Sequence, residues 1–400
     1  MKVLHLITRM NTGGPAVFLD HLTHAIHPSC ESVIGFGYCE GNETDYTEQH
    51  ELTANLVKLK YLHRSLNPLD DIRAFLEIRK LIREEKPKVV NTHTSKAGVL
   101  GRIAAKSVSR KIKVVHTFHG HLIYGYFAKY KSFAFTLVEK FLSLFTDVAV
   151  AITHETQSTL QKLGIGKRLN WQVIHLGIPV VQENMPKSDG TKLLWVGRFT
   201  DIKDPFYAIE VMRELNKLKP DTYSLTMVGG GELLDEVKEK AKGLKVDFTG
   251  WVDTPFTTKR PFDLLLLTSK NEGMGLVILE AANFDKATIA RNVGGINEFI
   301  KDRETGFLVN KGPSDMAKVI TSLSIDNLEK VGKQARQLLE VNFSDESMAN
   351  NYLALYKSLL KSQITKLIGG AVFKTCLFNL WCSATLRNYR NCNHNCTSLF

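Results

Sequence analysis

An α/β fold of two doubly wound parallel sheets is predicted by three observations. The chain has 400 residues, short apolar runs alternate with amphipathic stretches throughout, and that alternation pauses once and restarts near residue 192. A chain of this length exceeds one ordinary core and suits two of nearly equal size. Near-continuous apolar strands separated by helices belong to a parallel sheet covered on both faces. With 44% hydrophobic and 23% charged residues, the composition is that of a globular protein and excludes a disordered chain, a collagen and a small disulfide scaffold.

Residues 3–7 read as the first strand, broken by Thr12-Gly13-Gly14-Pro15, and Phe18, Leu19, Leu22, Ala25 and Ile26 share one face of the helix that follows. Asn67 and Pro68 are the N-cap and first position of a helix that runs to about Glu85 and stops before Pro87. Residues 88–93 form a strand, 96–106 a helix, and 113–118, 149–153 and 172–175 further strands. In the second set, 193–196, 224–228, 246–248, 264–268, 288–290 and 307–309 read as strands. Residues 179–190, polar and punctuated by Pro and Gly, are the expected linker between domains at 1–178 and 191–344. Residues 345–361 read as one more helix, with Tyr352, Leu353, Leu355, Tyr356, Leu359 and Leu360 as its apolar set. Ligands of such sheets bind at the carboxyl ends of the strands, so the cleft between the domains is the expected site.

The formal net charge of +11 favours anionic partners: a nucleic acid, an anionic membrane face or a phosphorylated ligand. No recognised nucleic-acid motif is present. Four of the six cysteines (Cys376, Cys382, Cys392 and Cys396) fall near the end of the chain, and a body otherwise so poor in cysteine does not look disulfide-dependent. The first apolar run is cut off by Arg9, Asn11 and Gly13, too soon for a signal peptide, and no run of eighteen apolar residues occurs. A cytoplasmic protein is expected.

The strongest chemical signal is the stretch from Asn271 through Glu272, Gly273, Met274, Gly275 and Leu276 to Glu280. A strand runs into a Gly-containing loop and then a helix, whose first backbone N–H groups attract phosphate. Glu280 is expected about two turns into that helix, roughly 12 Å along the axis from Glu272 at ~1.5 Å per residue. That separation suits two carboxylates holding the two hydroxyl-bearing ends of a sugar nucleotide. A second signal is Val196-Gly197-Arg198-Phe199 followed by Lys203, an Arg fork and an ammonium at a strand end, the groups a departing diphosphate needs. A Gly triplet, Gly229-Gly230-Gly231, follows another strand, and Val293-Gly294-Gly295-Ile296-Asn297-Glu298 precedes the last; the latter reads equally as framework or as ligand lining. In the first half, Gly13 and Gly14 permit close backbone approach by a phosphate or an acceptor. His93, His116, His119 and His121 stand at or after strand ends that face the cleft. No Asp-x-Asp motif and no fixed metal spacing appear, so no metal is expected.

Glu272-x7-Glu280 after such a strand, with Gly273, Gly275 and Leu276 inside it, resembles the retaining GT-B glycosyltransferases of the large bacterial family known as glycosyltransferase family 4, or group 1. Met274 replaces the usual aromatic between the glycines. The resemblance covers roughly residues 1–360. It implies two Rossmann-like domains facing a cleft, with residues 345–364 crossing back onto the first domain, and it does not account for residues 365–400, expected as a poorly ordered tail.

The resemblance further implies that Glu272 meets the donor sugar and Glu280 the ribose, while Arg198 and Lys203 hold the diphosphate. His119 contacts the sugar from the opposite domain. Gly273, Met274, Gly275, Leu276, Gly197, Gly229 and Gly230 line the donor, and Gly13, Gly14 and His93 stand on the acceptor or phosphate side. The implied reaction is retaining transfer of a hexose or N-acetylhexosamine from a nucleotide-diphosphate sugar, commonly uridine-linked, to a saccharide or lipid-linked saccharide in cell-surface polysaccharide assembly. The nucleotide sugar is a substrate, and no cofactor is expected. A sugar-nucleotide epimerase on the same architecture and a non-catalytic nucleotide-sugar-binding protein are the rival readings.

Residues 124–145 interleave lysines with Phe, Tyr and Leu. Such a helix either lies on an anionic membrane surface, here the inner face of the cell membrane, or is a domain helix with a solvated basic edge.

Overall fold

The computed structural model describes residues 1–361 except 42, 121–128, 184, 187–188, 253–254 and 258. Both sheets lie in one compact unit, Met1–Tyr352, and the chain from Leu353 onward forms a second unit.

The first sheet has seven strands: β1 (Lys2–Arg9), β2 (Glu31–Gly37), β3 (Asn55–Lys58), β4 (Val89–His93), β5 (Lys113–Phe118), β6 (Val148–Ala151) and β7 (Asn170–Val173). Their order is β3-β2-β1-β4-β5-β6-β7, and every pairing is parallel. The connections carry α1 (Gly14–Ile26), α2 (Pro68–Glu85), α3 (Ser95–Val108), α4 (Lys129–Leu142) and α5 (His154–Lys162). Asn67 caps α2 as its sequence predicts, its side chain accepting from the backbone N–H of Leu69 and Asp70. A buried ion pair, Arg102 Nη2 to Glu139 Oε1 at 2.8 Å, joins α3 to α4.

The second sheet has six strands: β8 (Lys192–Val196), β9 (Ser224–Val228), β10 (Val246–Gly250), β11 (Leu264–Leu267), β12 (Ala287–Arg291) and β13 (Phe307–Val309). Their order is β10-β9-β8-β11-β12-β13, again all parallel. Its helices are α6 (Pro205–Leu218), α7 (Leu234–Lys240), α8 (Leu276–Ala282), α9 (Pro313–Ser322) and α10 (Ile325–Asn342). Strand side chains alternate between faces, so Leu193 and Trp195 enter one core with Ile209, Met212 and Met316. Leu194 enters the other with Phe262 and Leu265. Both faces being covered is the reason the strands read as continuous apolar runs.

The chain passes between the sheets twice, and the two passages are hydrogen-bonded to each other. Ile178 N–H donates to Phe343 O at 3.1 Å, and Asp345 N–H donates to Ile178 O at 2.9 Å. A Cβ on Gly177 would come within 2.3 Å of Ser344 O, so only glycine allows this approach. A final helix, α11 (residues 345–361), begins at the second passage. Its Tyr352 packs edge-on against Phe18 of α1, with ring centroids 5.9 Å apart, and its hydroxyl lies 3.3 Å from Thr117 Oγ1 of β5.

Two strands were not anticipated from the sequence. β2 carries Gly35 and Gly37 within an apolar run, and β3 is a four-residue edge strand with no buried side chain; neither shows the clean alternation that marks a half-buried strand. Residues 362–400, which include all of the expected tail and the end of the 345–364 segment, lie outside the described residues, as do His121 and residues 124–128 of the basic stretch.

Candidate functional site

In each sheet the connections run outward in opposite directions from one central pair, β1/β4 and β8/β11. The carboxyl ends of those pairs are the crevices where doubly wound sheets hold ligands. The residues singled out in the sequence fall largely at these two places.

At the end of β8 stand Gly197 and Arg198, and at the end of β11 the loop from Thr268 to Gly275. The two are braced together. Trp195 Nε1 donates to Thr268 Oγ1 at 2.9 Å, Thr268 Oγ1 donates to Lys203 O at 3.0 Å, and Lys270 N–H donates to Ile202 O at 2.8 Å. This bracing brings the Lys203 ammonium into an ion pair with Glu272 Oε1, which also accepts from Ser269 Oγ at 2.7 Å. Two groups assigned to different parts of a ligand are therefore in direct contact. Arg198 stands apart from this pair; its guanidinium is exposed and lies 4.0 Å from Glu43 Oε1 of the first half, which in turn accepts from Arg9 Nη2 at 2.8 Å.

Glycine packing sets the shape of these loops. A Cβ on Gly294, whose φ is +58°, would stand 1.8 Å from Glu272 O, and Gly295 N–H donates to that same oxygen at 3.2 Å. Gly294 and Gly295 are thus framework holding the Glu272 backbone, one of the two readings open in the sequence. Gly229, at φ +129°, would meet Gly197 O at 2.0 Å, so the triplet with Gly230 supports the β8 end in the same manner.

Met274 is buried, and Gly275 at φ +79° leads into α8, which has seven residues. Glu280 is the fifth residue of α8, little more than one turn in rather than two, because the loop occupies 268–275 and the helix starts at Leu276. Its carboxyl is partly buried, and desolvation raises it to about 7. It faces the first half: burial, the Asp20 carboxylate and the Glu280 charge together raise Tyr46, whose hydroxyl donates to Asp20 Oδ2 at 2.7 Å.

Across from this loop, a Cβ on Gly273 would lie 3.1 Å from His119 O. His119 begins a row of imidazoles running into the first sheet. His119 Nε2 lies 3.0 Å from His93 Nδ1, and His93 Nε2 lies 3.3 Å from His5 Nδ1. Burial lowers His5 to about 3 and His119 to about 4, and holds His93 far below its usual value. The ring of Phe18 stands edge-on to His119, with centroids 4.7 Å apart. His116 turns instead to Thr92, its Nδ1 2.8 Å from Thr92 Oγ1, and belongs to the interior. Thr94, next to His93, is held at φ +62° and ψ +165°, a conformation costing on the order of 1–3 kcal/mol for a residue with a side chain. Its Oγ1 lies 2.7 Å from Thr8 Oγ1, which accepts from Ala97 N–H at 3.1 Å and so caps α3. Gly13 is the N-cap of α1, at the carboxyl end of β1, and an added Cβ on Gly14 would meet open space.

Residues 293–298 read in the sequence as framework or ligand lining, without Glu298 being singled out. The Glu298 carboxylate crosses from the second half to accept from the backbone N–H of His154 and of Glu155, both at 3.0 Å, at the start of α5. His154, His175 and Glu298 offer ligand atoms within 4.8 Å of one another. The carboxylate is already engaged by the α5 backbone, and His175 Nδ1 lies 3.0 Å from Ile152 O. His5 and Glu43 were also missed; the signals for them are a histidine inside an apolar strand and an acid after an unrecognised one.

Comparisons with known proteins agree across nearly the whole length. The family described as Glycosyltransferase Family 4 matches residues 12–182, and that described as Glycosyl transferases group 1 matches residues 181–338. The chain is 29% identical over 299 residues to UDP-Gal:alpha-D-GlcNAc-diphosphoundecaprenol alpha-1,3-galactosyltransferase of Escherichia coli, covering 69% of this chain and 75% of that protein. It is 25% identical over 357 residues to the O-antigen biosynthesis glycosyltransferase WbnH of Escherichia coli, covering 89% and 98%. Among solved structures, HepE of Anabaena in complex with UDP and glucose superposes with a TM-score of 0.74 at 18% identity, covering 90% of this chain and all of that one.

Proposed function

The chain belongs to the group 1 glycosyltransferases of GT-B fold, and from that premise we propose that it transfers a hexose or N-acetylhexosamine from a uridine diphosphate sugar to a saccharide or lipid-linked saccharide with retention of the anomeric configuration. The Lys203–Glu272 ion pair at the carboxyl end of β11 carries this reading. A diphosphate entering between Arg198 and Lys203 supplies the ammonium with a stronger anionic partner. Glu272 is then released to accept hydroxyl hydrogens of the sugar, so one event arms both groups. Glu280, one helical turn further on, takes the ribose hydroxyls. His119 meets the sugar from the other half.

The acceptor hydroxyl attacks the anomeric carbon on the face from which the diphosphate departs. Its proton passes to the leaving phosphate oxygen, and the cationic groups stabilise the negative charge that develops there. Gly273, Met274, Gly275, Leu276, Gly197, Gly229 and Gly230 shape the donor side, and Gly13, Gly14 and His93 the acceptor side. No metal or cofactor takes part.

The acceptor reading is supported by the relatives, one a glycosyltransferase of O-antigen biosynthesis and another a galactosyltransferase acting on a diphosphoundecaprenol-linked GlcNAc. It is also supported by α4, which exposes Phe133, Leu137, Phe141 and, just beyond it, Leu144. Lys140, Lys162, Lys167 and Arg168 are exposed around the end of that helix, and Lys140 and Lys167 converge at Gly164. Apolar side chains ringed by cations suit the surface of an anionic bilayer, the place where a lipid-linked acceptor is met. Among the described residues no helix is long and apolar enough to cross a membrane.

The test is turnover of the purified chain with a panel of nucleotide sugars and a polyprenyl-diphosphate saccharide, the product's anomeric configuration being read by NMR. An α-linked product from an α-linked donor is expected. An inverted product would exclude retention, conversion of the donor sugar without acceptor would indicate an epimerase, and donor binding without turnover would leave a binding protein.

A further inference from the structure

The row of histidines that ends at His119 has a direction, and the atom that sets it lies at the far end. His5, His93 and His119 each use one ring nitrogen to reach the next, over 3.3 Å and 3.0 Å. In a neutral imidazole one nitrogen donates and the other accepts. Two contacts between three neutral rings therefore leave two self-consistent arrangements, one the reverse of the other.

His5 Nε2 is fully buried and has no hydrogen-bond partner. If that nitrogen carried the hydrogen, a buried donor would be orphaned; if it is bare, only a lone pair is. Orphaned buried N–H groups are the rarer of the two in proteins. The hydrogen of His5 is then on Nδ1, donated to His93 Nε2. His93 must carry its own on Nδ1, donated to His119 Nε2. His119, its Nε2 occupied as an acceptor, must carry its hydrogen on Nδ1.

We infer that His5 and His93 are positioning residues that fix His119 as the Nδ1–H tautomer, so that it offers a hydrogen-bond donor to a sugar oxygen beside the Glu272 loop. This rests on the proposed placement of the sugar between His119 and Glu272. Depression of all three imidazoles by burial keeps the row neutral. The strained Thr94 backbone, tied to Thr8, holds His93 in line between its neighbours. A tautomer fixed from a distance is worth having because a ring turned to the wrong tautomer loses its function with its geometry intact.

The experiment uses histidine nitrogen-15 NMR on the full chain, with signals assigned by single substitution, together with steady-state kinetics. The wild type is expected to show His5, His93 and His119 all as Nδ1–H tautomers between pH 6 and pH 8. In His5→Asn the side-chain amide stands in for Nδ1–H, and both the His119 tautomer and kcat should be kept within about threefold. In His5→Leu the direction of the row is no longer specified. His119 should populate the Nε2–H form, and kcat should fall about tenfold or more with the donor KM little changed.

An Nε2–H His119 in the wild type would overturn the inference. So would equal kinetic losses in the two variants with the tautomer unmoved, which would mark His5 as a packing residue. The tautomers are read without turnover, so failure of the transferase reading would show as lost activity with any acceptor while the NMR pattern still tests the row.

Discussion

The carboxylate of Glu298, in the second half of the molecule, caps the first turn of α5 in the first half by accepting the backbone N–H of His154 at 3.0 Å. Its other oxygen accepts from Glu155 N–H at the same distance. The side-chain cap of α5 comes from its own Thr153, which serves Thr156 N–H. The remaining first-turn donors are served from the other sheet, and a negative charge is well placed at the positive end of that helix.

Removing this contact should therefore loosen the molecule more than an average partly exposed substitution does. Glu298→Ala is expected to destabilise by about 1–2 kcal/mol, the range for a lost helix cap with charge-assisted bonds. Glu298→Gln, which keeps one acceptor, should lose less. Chemical denaturation of both variants decides it; equal, negligible losses would mean that solvent replaces the carboxylate at no expense.

For the Lys203–Glu272 pair, Glu272→Ala and Lys203→Ala should each lower transfer by roughly two to four decades while the fold survives. Both residues stand on strand-end loops, and neither supports a core. Donor affinity should separate them. Lys203→Ala should weaken the free nucleoside diphosphate, whereas Glu272→Ala, by releasing the ammonium, should tighten it. Calorimetric titration reads this directly, and folded variants with near-normal turnover would remove the pair from the mechanism.

Activity should persist in excess chelator. The proposed counter-charges to the diphosphate are Arg198 and Lys203, and the gathered His154, His175 and Glu298 lie at the α5 cap with the carboxylate already engaged. Loss of turnover in EDTA that returns only with added divalent ion would contradict this.

Glu280 should make both stability and donor binding depend on pH near neutrality. Its folded value, about 7, lies above that of an exposed Glu, so the native state holds a proton that the unfolded chain has released between about pH 4.5 and pH 7. On its account stability is greatest at the acid end of that window and declines as pH rises through about 7. Glu280→Gln should thus be more stable than wild type at pH 8, on the order of 3 kcal/mol at most, with the difference vanishing toward pH 4.5. Donor binding should run the other way in the wild type, strengthening as the carboxylate forms, and lose this dependence in the variant. Melting curves and titrations at pH 5.5 and 8 test both signs.

Much of the architecture was legible because it depends on local signals: the cap at Asn67, the apolar runs, the glycines after strands. β5, β9 and β13 were placed to the residue from such signals. β2 was lost because glycines thin its side-chain pattern, and β3 because an edge strand has little to bury. At the site, the groups on one loop could be read from spacing. The depth of Glu280 in α8 was overestimated because sequence does not show that the loop holds the chain out of helix until Leu276. The contacts of Glu298 with His154, and of His5 with His93, join positions 144 and 88 residues apart. Such pairs exist only once strand order and register are set, and no single-sequence pattern encodes those.

The paired passages at Ile178 and Phe343–Asp345 also bear on how the protein comes apart. The second sheet is an insertion: the chain leaves the first half after β7, and α11 returns to set Tyr352 against Phe18 and Thr117. A single proteolytic cut within residues 179–190 would leave the later fragment anchored through that return. The nicked protein should then migrate as two pieces under denaturing conditions and as one species on a sizing column. Exchange of the second sheet between two copies of the chain would require both passages to open together, which makes three-dimensional domain swapping at this junction far harder than across a single linker.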